Sequence, residues 1–509
     1  MANLFSRRLF LQSVAAGACA GVAGKTGASL GPDGKALQSI RRVAIHPTVG
    51  IARVGNSQEY FYFGPELPAS TSRGPFKDPS GAMAKQAVRF RLYGYDRKGR
   101  VVCELTAADA GITWQIVVAN AKAAAYNVDT AFDVPGAPSV GRRNASVTDR
   151  ASLVIRATPR SLSGGAAGPF ALDGGSFSGT PVNLGEALTD AKGRLVVMPG
   201  SGTAYSTPDA PPLGSFANND GWTDDTCDGP VRATVRIGER SFEADSAWVI
   251  CGSPNYAPAI PAGLVTLYDA IESALVEAGA LDAGATDFQR HVWPIFERIA
   301  DMQWVNAGYL ASHGFGSEQE WTQPRWRRRL ANPSTANEGF RQSVAATFRN
   351  PDFSEVEPSL EPQLYGDKVT MPPNAVEPRQ WLALTPLQYR RLRAWADGNF
   401  TGKMRKTPTH LSALPLQQQP AALDRAALEA CLGGAFHPGV EFPWIARVPW
   451  IWTSDMRLRG GALEPDLHDY GETLNAAVAL SKQGPLGRAG VRGTIMASSR
   501  FHSPGRLVP

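Results

Sequence analysis

The sequence predicts an α+β fold, with a β-rich amino-terminal half followed by a mainly helical carboxy-terminal half. Up to about residue 260, short apolar runs alternate with Gly, Pro, Asn and Asp turns, which is typical of strands. From about residue 263 onward, apolar residues recur at helical spacing. Of the 509 residues, 43% are apolar and 19% are charged, which excludes a disordered chain, a coiled coil and a collagen-like chain.

Residues 1–30 resemble an export signal. The run Ser6-Arg7-Arg8-Leu9-Phe10-Leu11 precedes a short, mildly apolar stretch rich in Ala and Gly, as in a twin-arginine signal. The alternative is a helical tail with a chance pair of arginines. We expect export by the twin-arginine route to the periplasm or the extracellular space. Because no other long apolar run occurs, we expect no membrane span after signal removal.

The β-rich domain is predicted to span residues 41–260. Its clearest predicted strands lie at residues 88–93, 113–118, 151–157, 231–237 and 246–250. Residues 159–186 are rich in Gly, Ser and Pro, and they are predicted to form a long surface excursion.

The mainly helical domain is predicted to span residues 261–486. Apolar spacing predicts helices at residues 265–279 and 288–305, the second kinked or restarted by Pro294. Thr385 and Gln388 form a capping box around Pro386, and Gly398 is the predicted end of that helix. A further helix is predicted from about residue 421 to residue 432, before two glycines.

The formal charge of +5 is concentrated at the two ends of the chain. Residues 1–30 contain three basic residues and no acidic one, and residues 487–509 contain four arginines and no acidic residue. The sequence between them is slightly acidic. This distribution argues against nucleic-acid binding by the body of the protein, and it marks residues 487–509 as an atypical basic tail.

The cysteines and common motifs exclude several classes of site. No C-x-x-C spacing, helical His pair, P-loop, G-x-G-x-x-G after a strand or G-x-S-x-G elbow occurs, so no metal site and no classical hydrolase or nucleotide site is predicted. The run Asp224 to Gly229 resembles a calcium loop superficially, but Val235 stands where a Glu ligand is required. We interpret it as a tight acidic turn. A disulfide between Cys227 and Cys251 stays open.

The most distinctive segment runs from Cys431 to Glu441, Cys-Leu-Gly-Gly-Ala-Phe-His-Pro-Gly-Val-Glu. Its cysteine is predicted to lie at the end of a helix, where two glycines allow a tight turn. Tryptophans follow at Trp444, Trp450 and Trp452. From chemistry alone, a buried structural cysteine is the simpler interpretation.

Several stretches, in order over most of the chain, resemble the lysine ε-oxidase and glycine oxidase family of cysteine tryptophylquinone proteins. They are residues 45–47 and 50–57, 216–222, 224–231, 257–258 with 266–269, 303–306, 384–385 with 388–389, 395–400 and 431–441. The resemblance implies that Cys431 is the cysteine that the family bonds through sulfur to a tryptophan, which is oxidised to an ortho-quinone. It further implies that a substrate amine reacts at the quinone carbonyl.

Oxygen would complete this reaction, so the implied activity is oxidative deamination that yields aldehyde or oxo acid, ammonia and hydrogen peroxide. The implied partners are an amino-acid or primary amine substrate, O2 and a flavoprotein that matures the cofactor, and a homo-oligomer is possible. A lysine 6-oxidase-like and a glycine oxidase-like substrate both stay open.

The carboxy-terminal tail departs from the family pattern. The family tryptophan lies in a segment resembling M-A-x-P-W-Q-x-D, whereas Met496-Ala497 is followed here by Ser-Ser-Arg-Phe. No tryptophan occurs after Trp452. We expect the resemblance to fade after about residue 485, through a shifted reading frame or a replaced end.

Two functions therefore stand side by side. The first is an exported amine or amino-acid oxidase with a protein-derived quinone, and the second is a non-catalytic or truncated relative without the cofactor. Trp444, Trp450 and Trp452 are substitutes for the missing tryptophan by proximity only, and packing is the alternative role. The catalytic base is unassigned, because Asp424 and Glu429 are equally interpretable as solvated charges on the helix before Cys431.

Overall fold

The structure is a computed structural model of the whole chain. It describes residues 4–12, 34–68, 76–127, 132, 136–215, 218–254, 264–304, 306–352, 360–362, 383–402, 405–406, 408–433, 445–459 and 470–481. The predicted tail, most of the predicted signal and Trp444 lie outside these residues.

Strands fill the first half of the chain, as the sequence predicts. Their bounds are β1 Phe5–Ser6, β2 Arg42–His46, β3 Val49–Arg53, β4 Tyr60–Phe63, β5 Lys85–Tyr95, β6 Val101–Leu105, β7 Gly111–Ile116, β8 Ala119–Asn120, β9 Val140–Gly141, β10 Ile155–Arg156, β11 Arg160–Ser163, β12 Phe170–Ala171, β13 Gly175–Phe177, β14 Thr180–Val182, β15 Gly185–Thr189, β16 Leu195–Pro199, β17 Ala204–Ser206, β18 Trp222–Asp224, β19 Cys227–Ile237, β20 Arg240–Glu243, β21 Ala247–Gly252 and β22 Thr473–Leu474.

Most of these strands join one large, mainly antiparallel sheet. Its main path runs in the order β10-β8-β19-β21-β3-β5-β16-β15-β12. Strands β21 and β3 pair in parallel, with Gly252 opposite Arg53. Every residue of β3 is buried, as expected for a central strand covered on both faces. By contrast, β7 alternates buried and more exposed residues, because only one of its faces is covered.

The predicted surface excursion at residues 159–186 is correct in that most of these residues are exposed or partly exposed, but the segment is not an irregular loop. This segment forms β11 to β14 and the start of β15, and it contributes buried side chains to the sheet core: Leu162, Leu172, Phe177, Val182 and Leu184. Glycines with positive φ, Gly164, Gly174 and Gly179, lie between these short strands. The buried apolar residues face inward and help to hold the strands in place, whereas Phe170 is 42% exposed.

Helices follow the sheet, and the α+β class is confirmed. Their bounds are α1 Gly34–Ser39, α2 Leu267–Glu277, α3 Trp293–Asp301, α4 Ala307–His313, α5 Pro324–Leu330, α6 Glu338–Ala345, α7 Pro386–Ala396, α8 Gln419–Glu429 and α9 Ala476–Ala479.

Local signals placed several helix ends correctly. The Thr385–Gln388 capping box begins α7, and Gly398 follows its end with a left-handed φ of 80°. The predicted helix at residues 288–305 is divided. A π-helical turn at Phe288–Val292 precedes α3, whose second residue is Pro294, and a 3-10 turn at Met302–Trp304 follows.

The helical part packs on the face of β3 and β21 that the main sheet core leaves free. Val49, Ile51, Trp248 and Ile250 of these strands form one buried cluster with α2, the end of α8 and the 3-10 turns Ile445–Arg447 and Pro449–Ile451. Each fully buried large apolar side chain here contributes about 1.5–3 kcal/mol. Cys431 belongs to this cluster, so the sheet positions it from one side and the helices from the other.

No helix in the described ranges is long and apolar enough to cross a membrane. The predicted boundary near residue 260 stays a prediction, and residues 255–263 lie outside the described part of the chain.

Candidate active site

Cys431 lies just beyond the end of α8 and is completely buried. Its backbone is fixed by pairing with the start of α2: Leu267 N–H donates to the Cys431 carbonyl at 2.9 Å, and Gly433 N–H donates to Val265 O at 2.9 Å. The thiol donates to Ala427 O, one helical turn back, at 3.7 Å. The sulfur therefore has one defined position between α8 and α2.

One of the two glycines in the Cys431 segment, Gly433, is required by a close backbone contact. A Cβ at this position would lie 2.1 Å from Thr266 O, which no side chain tolerates. The glycine lets the strand-like residues after Cys431 approach Thr266, the N-cap of α2. Residues 434–444, including the rest of the distinctive segment, lie outside the described residues.

Arg53 holds Cys431 from the sheet side. This side chain is 5% exposed, and its guanidinium donates to Ser253 O at 3.1 Å, to Ala430 O at 3.2 Å and to Cys431 Sγ at 3.6 Å. A cation at the carboxyl end of a helix is favourable, and the guanidinium places an N–H donor beside the sulfur. Arg53 lies in the quoted stretch 50–57, but no role for it is predicted from the sequence.

Asp424 is not a solvated charge, and that interpretation is wrong. Its carboxylate accepts Thr48 N–H at 2.7 Å, and both of its oxygens lie 2.9 Å from His46 Nδ1. The contact joins α8, two turns before Cys431, to the end of β2. Asp424 thus anchors the cysteine helix on the sheet.

His46 completes this network with a defined tautomer. Its Nε2 faces the Tyr95 hydroxyl at 2.8 Å and Arg457 Nη2 at 3.3 Å. Because a guanidinium is only a donor, Nε2 acts as an acceptor and Nδ1 carries the proton toward Asp424. Burial, and then the nearby Asp424 charge, raise the pKa of Tyr95, which keeps its hydroxyl protonated.

Glu429 is also buried and paired, so its interpretation as a solvated charge is wrong as well. Its side chain is 7% exposed and accepts from Arg425 Nε at 2.6 Å, with Arg298 Nη2 3.8 Å away. Arg298 in turn bonds Asp269 at 2.6 Å. This chain of charges links α8 to α3 and α2, and it engages Glu429 in holding the helices together.

The two described tryptophans after Cys431 pack in its cluster. Trp452 is fully buried and donates its Nε1–H to Ala446 O at 3.1 Å, and Trp450 packs against the same cluster while half-buried. Trp444 lies outside the described residues. Trp452 therefore has the packing role that was the alternative to a cofactor role.

The acidic run 224–229 is a buried polar centre in the sheet. Asp224 is 1% exposed and is bound by Lys122 Nζ at 3.1 Å and by Asn120 Nδ2 at 3.0 Å. Asp228 accepts from Trp248 Nε1 at 2.8 Å. Among the described residues, no group of three or more His, Cys, Asp and Glu side chains is arranged to hold a metal ion.

Cys227 and Cys251 are brought together as free thiols. They lie directly opposite each other on β19 and β21, and both are completely buried. Burial, and then the contact with Cys251, raise the pKa of the Cys227 thiol. The pair is one strand away from Arg53 and does not touch Cys431.

Two sequence models of one family match the chain. The model of the L-lysine epsilon oxidase N-terminal region matches residues 46–251, and the model of the L-lysine epsilon oxidase C-terminal domain matches residues 363–507. The second match continues past residue 485, where the resemblance was expected to fade. It favours a diverged family segment over an unrelated sequence in the basic tail.

The L-lysine 6-oxidase of Marinomonas mediterranea is 26% identical over 499 residues, covering 82% of this chain. The match spans 64% of that relative's length, which is less than two thirds.

Two crystal structures from the same organism share the fold. The L-Lys epsilon-oxidase has a TM-score of 0.65 at 23% identity, over 91% of this chain and 73% of the other. Its Schiff base intermediate with L-Lys has a TM-score of 0.64 at 22% identity, over the same shares.

Proposed function

Because the chain belongs to the L-lysine epsilon-oxidase family, we propose that it is an amino-acid oxidase. The proposed reaction consumes a primary amine, O2 and water, and it yields an aldehyde or oxo acid, ammonia and hydrogen peroxide. Lysine-like and glycine-like substrates are both included.

The setting of Cys431 carries this proposal. The thiol is buried, its backbone is fixed between α8 and α2, and the Arg53 guanidinium lies 3.6 Å from its sulfur. A purely structural cysteine needs no cation at its sulfur. The Arg53 contact instead suits a sulfur that takes part in bond formation.

The residues around Cys431 fit the cysteine half of a cysteine tryptophylquinone. Such a group, when formed, supplies an electrophilic carbonyl that no standard side chain offers. Arg53 and Ala427 O would orient the sulfur, and the apolar cluster with Trp452 would exclude water. The tryptophan half does not fit at the position expected from the resemblance, where Ser498, Ser499, Arg500 and Phe501 stand outside the described residues.

The second candidate is a non-catalytic relative that keeps the fold without the cofactor. The observation that favours it is the absence of any tryptophan after Trp452 in the sequence. In that case Arg53 and Cys431 would only join β3 to α8.

Peptide mapping of the intact chain separates the two candidates. We propose to co-express the chain with a flavoprotein of the kind that the family resemblance implies, and to digest the product for mass spectrometry. An oxidase should contain a peptide in which Cys431 is cross-linked to a tryptophan that has gained oxygen. Its partner peptide would identify the residue as Trp444, Trp450, Trp452 or another. Peroxide release would be measured with L-lysine and with glycine.

The control is Cys431→Ala, which should abolish both the cross-link and the peroxide while the protein stays folded. A free thiol at Cys431, together with no peroxide from either amine, would overturn the oxidase proposal and establish the non-catalytic relative.

We also propose that the chain is exported through the twin-arginine route, on the strength of residues 6–11 and the apolar stretch that follows. Fractionation of cells that express the full chain tests this location, with Arg7→Lys and Arg8→Lys together as the blocked control. A homo-oligomer in solution stays a proposal, and size-exclusion chromatography with light scattering measures it.

A further inference from the structure

The amino-terminal residues 4–12 are bound to the folded body of the protein. Strand β1 pairs antiparallel with β4, with Phe5 opposite Phe61 and Ser6 opposite Tyr60. Arg7 N–H then donates to Glu59 O at 2.6 Å. Strand β1 thus covers the free edge of β4, which pairs on its other side with β5.

Two aromatic rings of this segment clamp the same strand. The Phe5 ring stacks on Phe61 at 5.6 Å and contacts Phe63 edge-on at 5.6 Å. Phe10 comes back over β4 because residues 7–12 are helical, and its ring lies 5.2 Å from Phe61. Leu9, between them, is 67% exposed. The apolar contacts are therefore made by particular residues of the segment.

The two adjacent arginines have different environments. Arg7 Nη2 donates to Glu186 Oε1 at 2.5 Å, and the Arg7 side chain lines a cavity shared with Lys85, Tyr205 and Asp225. Arg8 is exposed. The strand pairing and the Glu186 carboxylate thus engage the first arginine of the pair and leave the second in solvent.

We propose that the β4 edge, Phe61, Phe63 and Glu186 form an intramolecular receptor for the chain's own residues 4–12. In the folded, uncleaved chain this receptor holds Arg7 in a docked state. This consequence rests on the proposed twin-arginine export: machinery that reads the arginine pair must first undock the segment. Binding follows the rules of strand addition: backbone hydrogen bonds give affinity, and the Phe and Arg contacts give specificity.

Hydrogen exchange of the full-length chain tests this docking. Amides of residues 5–11 should exchange more slowly than in a free peptide of the same sequence, because β1 pairing protects them. Glu186→Gln removes the charge partner of Arg7 at a partly exposed site, and it should raise their exchange rate about three- to tenfold. Glu239→Gln, at an exposed turn, is the matched control and should leave the rate unchanged.

A second pair of variants tests the apolar clamp without touching the body of the protein. Phe10→Ala should raise the exchange rate of residues 5–11, whereas Leu9→Ala should not, because Leu9 points into solvent. Exchange of residues 5–11 at the free-peptide rate in the unmodified chain would overturn the proposal. Equal rates in the Glu186→Gln and Glu239→Gln variants, both folded, would also overturn it.

Discussion

Asp224 and Asp424 are two buried carboxylates that the fold stabilises in different ways. Asp224, within the sheet, is bound by the ammonium of Lys122, and both side chains are almost completely excluded from water. Asp424, on the cysteine helix, is bound by the His46 ring and the Thr48 amide, and its side chain keeps 13% exposure.

The difference separates the scaffold from the site. Water does not reach Asp224, and the sheet places the Lys122 ammonium beside it. Losing either of these two side chains leaves the other as an isolated buried ion. Asp424 attaches α8 to the sheet through its hydrogen bonds with Thr48 and His46. Its contribution to the unfolding free energy is therefore smaller, but it acts directly on the position of Cys431. Variants of the first kind should affect the whole fold, and variants of the second kind should affect the site.

The largest effect is expected from Lys122→Met. The variant leaves Asp224 buried without its cation, which should cost about 3–5 kcal/mol of unfolding free energy. Chemical denaturation measures the loss. The double variant Lys122→Met with Asp224→Asn should recover part of it, and a single variant that unfolds at the wild-type midpoint would contradict the ion-pair role.

Asp225 is the next carboxylate along the chain from Asp224, and it accepts from the backbone N–H groups of Ser201 and Gly202. Burial raises its pKa to about 6, although hydrogen bonds from the backbone oppose the shift, and the Asp224 charge adds to it. The folded state therefore binds more protons than the unfolded state between about pH 4 and pH 6. The contribution of Asp225 to stability is present at low pH and falls as pH rises through 6.

Asp225→Asn should remove this loss, which amounts to as much as about 3 kcal/mol. The expected result is a wild-type unfolding free energy that decreases relative to the variant between about pH 4 and pH 6 and runs parallel to it at higher pH. Parallel pH curves for the two proteins would show that Asp225 titrates normally in the folded state.

Asp424→Asn should have an intermediate effect on stability and a specific effect on the site. The amide keeps one acceptor oxygen for Thr48 and His46, but it loses the negative charge and replaces the second oxygen near His46 Nδ1 with an NH2 donor, so we expect a loss of about 1–3 kcal/mol. Labelling of Cys431 by a thiol reagent under native conditions should become faster, because α8 is less firmly attached. Asp209→Asn, an exposed position, is the control and should change neither quantity.

Arg53→Lys should have the smallest effect on global stability, at about 1 kcal/mol. Lysine keeps the charge but lacks the planar fork that reaches Ser253, Ala430 and Cys431 together. Hydrogen exchange should increase at residues 430–433 and stay unchanged at β19. If the variant changed hydrogen exchange equally at residues 430–433 and at β19, Arg53 would not be the residue that positions the cysteine.

Local features of the fold were predictable from the sequence, and distant pairings were not. The capping box at Thr385 and Gln388 depends only on residues three apart, so the start of α7 was correct. In residues 159–186, composition favoured a loop, whereas inward-facing residues such as Leu162 and Phe177 form strands because the sheet offers them a core.

Within the candidate site, the sequence singles out Cys431 alone, through the resemblance, and its catalytic role stays a prediction. His46 and Asp424 are 378 positions apart, as are Arg53 and Cys431, and no local pattern reports such contacts. Charged residues on a helix are usually solvated, so Asp424 and Glu429 were misjudged. The burial of Asp424 and Glu429 depends on where β2 and α2 lie. The spacing of residues along α8 carries no information about those positions.

The parallel pairing of β3 with β21 imposes an order on folding. Arg53 bonds Ser253, 200 residues later, and then Ala430, 377 residues away, so the loops that close around Cys431 are long. Contacts of such high sequence separation form late and slowly, because loop-closure entropy is lost before they stabilise the chain. During synthesis the nascent chain cannot assemble this centre until α8 has left the ribosome. Any covalent chemistry at Cys431 that needs the Arg53 contact therefore follows the pairing of β3 with β21 and the docking of α8.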